Sequence, residues 1–282
     1  MRGLADAQLY WTLDPLVLAA AAVAALLFAR AFLTLRRRGR ADHASWDRPL
    51  LFAAGLAAAV LPLVSPLDPV ADHYLLSAHM LEHVLIGDAA PALLLLALRG
   101  PLLFFFVAPD LFPGIVRFTP VRRAGSFLLR PWVAVAAWAL IIAAWHVPAA
   151  YDYTLTHPTV HDLEHACFFT AGLLVWWQLI DPARQHRLSR GARLGLAAVL
   201  FWLGSVLSDV LIFSFRPLYP AYAAQPVRLL GLKPLLDQQL AGLVMTGEQL
   251  LSLGTCCLVL LLPLLRSRLR RRPVVLVREQ TA

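Results

Sequence analysis

The chain has 282 residues, 60% of them hydrophobic, and its mean hydropathy is +0.68. A water-soluble domain is usually about 45–50% apolar, so the composition excludes an ordinary soluble fold and points to a chain embedded in a membrane. The formal charge of +8 is spread over short segments between apolar runs, which excludes a nucleic-acid-binding stripe.

A membrane-crossing helix needs about 20 mostly apolar residues. In chain order, the apolar runs predict spans at 15–35, 50–67, 75–98, 131–150, 160–180, 194–214 and 238–265. The second lies between Pro49 and Pro66. Arg2, Asp6 and Asp14 precede the first, so the start of the chain lacks the order of a cleavable signal peptide. Segment 101–116 is interrupted by Pro109 and Pro113 and is read as an interfacial helix. The expected fold is therefore all-α: one polytopic domain over residues 1–282 with seven transmembrane helices.

Lys233 is the only lysine among 25 basic residues. Segments 30–48, 99–130, 181–193 and the tail from Arg266 carry 21 of these. The remainder are Arg2, Arg216, Arg228 and Lys233. The positive-inside rule then puts the N-terminus outside and the C-terminus in the cytoplasm. Cys167, Cys256 and Cys257 fall in apolar runs without disulfide or zinc spacing, and are read as small packing residues.

The pentapeptide His-x-Leu-Glu-His occurs twice, as His79-Met80-Leu81-Glu82-His83 and as His161-Asp162-Leu163-Glu164-His165. Histidines four residues apart on a helix share one face and form a ready pair of nitrogen ligands. Such pairs are costly in hydrocarbon unless something binds them. The topology places His79, His83, His161 and His165 in the outer half of the membrane, as candidate metal ligands. Their bland alternative is hydrogen bonding between helices. Met80, Glu82, His146, Glu164, Asp209, Asp237 and Met245 are further candidates at the same level, as ligands or as groups that orient ligands. Glu82 and Glu164 could equally pair with arginine, Asp209 could cap a helix, and the two methionines could simply fill gaps. His73 and His157 are outer-loop candidates along an access route, whereas His43 and His186 are read as solvated. Trp176 and Trp177 are read as an interfacial anchor. Asp88 lies deep in the third span and needs a partner or a proton. The Pro-rich stretch from Phe215 to Tyr222 is an outer loop placed to cover the histidines.

In its ordered pieces the chain resembles the CtaG family of cytochrome c oxidase assembly factors, associated with caa(3)-type oxidases. The matching pieces are SAHMLEH at 77–83, the Ala-Pro-Ala-Leu run at 90–96, and His161-x-x-Glu164-His165 followed by Gly172 and Trp176-Trp177. Pro217 to Tyr222 and Asp237 to Met245 complete the set. Thr246-Gly247-Glu248-Gln249 departs from the aromatic and Pro-Gly-Gly-like stretch expected there. The resemblance implies a non-enzymatic membrane protein that supports copper insertion into the oxidase catalytic subunit. Its partners would be that subunit, a periplasmic copper donor and the lipid of the bacterial inner membrane. Two other readings stay open on the residues alone: a metal transporter or haem carrier, and an intramembrane zinc protease using the reversed zincin pattern His-x-x-Glu-His.

Overall fold

A computed structural model describes residues 9–107, 114 and 118–270. Among them the regular structure is helical. The first helix, α1 (Pro15–Arg37), starts where the Asp14 side chain accepts hydrogen bonds from the Leu16 and Val17 amides, with Pro15 in the first turn. Next come α2 (Asp47–Val64), the short α3 (Leu67–His73), α4 (Leu76–Leu98) and α5 (Pro101–Phe106). Then α6 (Thr119–Leu128), α7 (Pro131–Trp145) and α8 (Pro148–Thr154) lead into α9 (Pro158–Ile180). The chain continues through α10 (Arg190–Phe213), the single turn α11 (Pro220–Ala223) and the long α12 (Pro234–Arg270).

Among the described residues six helical segments are long and apolar enough to cross a membrane, and a seventh span exists if α6 and α7, bent by 76°, count as one. The expected span at 131–150 is shorter than the sequence suggests. Its helix ends at Trp145, because Pro148 cannot continue the hydrogen-bond ladder and starts a new helix instead. Of segment 101–116, Pro101–Phe106 is a short helix with Leu102 buried. The remainder, and the earliest N-terminal residues read for a signal peptide, lie almost wholly outside the described residues.

Helices α4 and α9 form the centre, with α12 and α7 packed against them and α10 against α12. At one end Arg48 is buried and its Nη1 donates to the carbonyls of Leu96 at 2.8 Å and Ala97 at 3.1 Å. A cation thus satisfies the free carbonyls at the C-terminus of α4 and fixes α2 against it. In mid-helix, α4 contains a π turn over Leu85–Ala89. There α9 approaches so closely that a Cβ on Gly172 would lie 1.9 Å from the Gly87 carbonyl oxygen. Small residues allow such close backbone contact between membrane helices. The π turn and Gly172 together set the crossing that brings the two histidine motifs face to face.

Candidate metal centre

The opening turn of α4 is held from a distant part of the chain. The Asp237 carboxylate accepts from the Leu76 and Ser77 amides at 2.8 and 3.1 Å, and from the Ser77 hydroxyl at 2.5 Å. It is the N-terminal cap of α4, which corrects its place among the candidate ligands. Gln238 accepts from the Leu218 amide at 2.6 Å and donates to the Leu211 carbonyl at 3.3 Å. Gln239 donates to Ile212 at 3.1 Å. These three residues therefore anchor the Pro-rich loop and the end of α10.

On this frame, α4 presents His79 and His83, and α9 presents His161 and His165. One nitrogen from each of the four lies within 4.8 Å of one from every other, and all four residues are buried. The His79 Nε2 is 2.8 Å from the His83 Nε2 and 3.3 Å from the His161 Nε2. Four nitrogens at about 2.0–2.1 Å from a tetrahedral ion would be roughly 3.3 Å apart; the His79–His161 separation matches that value and the His79–His83 separation is shorter.

The glutamates cross between the motifs. Glu82 Oε1 lies 3.8 Å from His165 Nε2, and Glu164 Oε1 lies 3.9 Å from His83 Nε2. Neither pairs with an arginine among the described residues. Both side chains are fully buried, and none of their four oxygens has a hydrogen-bond partner. Asp72, at the end of α3, adds a third carboxylate 3.7 Å from His161 Nε2. Burial, with Asp68 and Asp162 nearby, pushes Asp72 up to about 7. A buried polar atom without a partner costs about 1–3 kcal/mol, so the donor set has the chemistry of a site that could hold a cation.

Tyr222 decides the protonation of one ring. Its hydroxyl donates to the Ala71 carbonyl at 2.6 Å, and a hydroxyl has only one proton to give. Burial above all keeps that phenol protonated. The His79 Nδ1, at 2.7 Å, must then donate to the Tyr222 oxygen. That assignment leaves the Nε2 lone pair of His79 directed at the other imidazoles, as a metal ligand requires.

The remaining candidates divide. His146 is buried beside the cluster, 6.1 Å from His83 ring to ring. Its Nδ1 donates to the Ile142 carbonyl at 2.9 Å, which leaves Nε2 as an unpartnered lone pair. Met80 and Met245 are buried in an apolar cluster with Tyr151, Tyr219 and Leu211, and that is where gap-filling residues sit. Asp209 is exposed on α10 and does not join the site. His73 and His157 are exposed, the latter stacked on Tyr153. Trp176, expected at an interface, is instead buried and its indole donates to Asp88. Asp72 and Tyr222 were missed in the sequence reading of the site. The reading of Phe215 to Tyr222 as a loop over the histidines and the Pro217 to Tyr222 match were the hints of Tyr222.

The fold and this site define a polytopic α-helical membrane protein with a buried histidine cluster able to accept a metal ion. The chain belongs to the cytochrome c oxidase caa3 assembly factor family (Caa3_CtaG), whose model matches residues 26–267. It is also 29% identical over 201 residues to uncharacterized proteins of Mycobacterium bovis and Mycobacterium tuberculosis. Those matches cover 66% of this chain but only 29% of each relative, so the chain spans less than a third of their length. No solved structure matches.

Proposed function

We propose that this protein acts without catalysis in building cytochrome c oxidase, and that its cargo is a copper ion held by His79, His83, His161 and His165. The supporting observation is the convergence of four imidazoles from two membrane helices on one buried point, beside two glutamates that lack hydrogen-bond partners. Imidazole accepts both oxidation states of copper. With the arginine-rich ends in the cytoplasm, the cluster faces the outer side of the bacterial inner membrane. A periplasmic donor would load it there, and the oxidase catalytic subunit would receive the ion. Glu82 and Glu164 offset the charge of the cargo, and Tyr222 holds His79 in the binding tautomer.

The close contact of the rings weighs against a haem carrier, since no slot for a macrocycle separates them. A protease would need one motif and an open coordination position, whereas both motifs contribute to one buried cluster. The test is the copper content of purified protein. The wild type should retain about one ion per chain, and His79→Ala with His83→Ala should lose it while remaining folded. Equal copper in both would refute the site.

A further inference from the structure

Below the histidines, α4 and α12 bring two carboxyl groups together inside the membrane. Asp88, in the π turn, accepts from the Trp176 indole and from the Ser252 hydroxyl at 2.8 Å. Glu248, on α12, lines the same cavity as Asp88 and lies beside Asp88 and Ser252. Two adjacent carboxylates in a low-dielectric site cannot both be ionised at ordinary cost; one proton between them removes the repulsion. An indole N–H only donates, and the Ser252 hydroxyl donates to the other oxygen, so both Asp88 oxygens act as acceptors. The shared proton is therefore placed on Glu248.

This pair opens onto the histidine cluster. A cavity of about 70 Å³ is lined by His83, His146, Met80 and Met245 and also by Asp88 and Glu248. That is room for several waters, at roughly 10–15 Å³ each by the same measure. His83 Nδ1 and His146 Nε2, both on buried residues, have no partner there. Asp88 is five residues beyond His83 on α4, roughly 7.5 Å along the axis at 1.5 Å per residue. Glu248 also borders a second, wider groove of about 1030 Å³ between α4 and α12, whose far end carries Arg99, Arg190 and Arg193. It thus stands between the chamber and the arginine-rich end.

We propose that a cation settling on the four imidazoles drives one proton off Glu248. Neutral imidazoles plus a cation, with one carboxylic acid and one carboxylate, become the loaded cluster, two carboxylates and a released proton. No electron moves. The positive charge of the cargo makes a second carboxylate affordable nearby, and the groove beside Glu248 leads the proton away from the cluster. The other titratable or charged groups around the pair are His83 on α4, His146 after α7, Cys256 on α12, and Arg193 with Arg190 on α10. The indole of Trp176 on α9 keeps its N–H proton and does not titrate.

This inference rests on the copper reading above, and one experiment separates the two. Copper(I), buffered by a competing chelator, is titrated into the purified full chain at about pH 8, where a free imidazole is neutral. Protons released and copper bound are counted together. The wild type should release about one proton per ion more than Glu248→Gln, and its affinity should rise with pH more steeply than the variant's, by about a further tenfold per pH unit. Should Glu248→Gln fold poorly, Asp88→Asn with Glu248→Gln replaces it as a neutral, hydrogen-bonded pair. Difference infrared spectra of the wild type should show the carboxylic acid band disappear on loading. Copper bound with the same proton count in wild type and variants, and with the band unchanged, overturns the coupling and leaves the histidine site intact. No copper on the wild type overturns both.

Discussion

The histidine chamber and the Asp88 site are neighbours on the same helix, yet they solve the burial of polar groups in opposite ways. At Asp88 both carboxylate oxygens are matched, one by an indole and one by a hydroxyl. In the chamber, Glu82 and Glu164 have four oxygens without a donor, and His165 Nε2 has none either. A matched polar group accounts for itself. An unmatched cluster, repeated from two helices, is what a cation-binding site looks like before its ion is bound. The contrast is the strongest argument that the histidines bind a cation and do not merely hold helices together.

The largest change should come from breaking the joint that both regions share. In Gly172→Ala the new methyl would collide with the Gly87 carbonyl at 1.9 Å and with the Pro91 ring at 2.8 Å. Helices α4 and α9 would have to separate. Overpacking of this kind costs about 1–3 kcal/mol, occasionally more, and here the carbonyl cannot move away without disturbing the π turn. Thermal unfolding in detergent should shift down by several degrees, and copper retention should fall with it. An unshifted transition with copper retained would mean that the helices do not cross this closely.

A smaller and more selective effect is expected from Tyr222→Phe. The ring stays, and the hydroxyl that accepts from His79 Nδ1 and donates to the Ala71 carbonyl is lost. Removing such an orienting partner typically lowers metal affinity about 10–100-fold. The metal-free protein should lose about 1–3 kcal/mol of stability from the unpaired Ala71 carbonyl, so affinity is read at a temperature where both proteins stay folded. Competition titration with a copper(I) chelator reads the affinity. If the affinity matched that of the wild type, His79 would not depend on Tyr222 for its tautomer, and the chamber would be less organised than its hydrogen bonds suggest.

Most of the scaffold was legible in the sequence, because hydropathy reports length and burial directly. Six of the spans follow from the apolar runs, and the two histidine motifs follow from their spacing. The details that failed depend on distant contacts. Asp237 looked like a ligand because it is acidic and close to the right level, but its oxygens cap a helix 160 residues away. Tyr222 lies 143 residues from His79, and no local pattern links them. Trp176 fits an aromatic belt by position along the helix. Its burial comes from contacts distant in sequence, the bond to Asp88 and packing against Leu95, Leu200 and Leu253. The short α7 is a different case: Pro148 was visible, and its power to end a helix was underweighted.

The smallest expected effect concerns the two methionines that line both the apolar cluster and the cavity. Met80 is fully buried and Met245 nearly so, among tyrosine and leucine side chains. Leucine has a similar volume, and such exchanges usually cost less than about 1.5 kcal/mol. Met80→Leu with Met245→Leu should therefore leave copper content unchanged and unfolding nearly so. A thioether is nevertheless a preferred ligand for copper(I), so the pair is a sensitive probe of where the ion rests. If copper(I) affinity fell sharply while copper(II) binding held, the ion would sit lower than the four imidazoles, in the cavity toward His146. The boundary between the unmatched chamber and the matched Asp88 site would then have to be drawn one helical turn deeper.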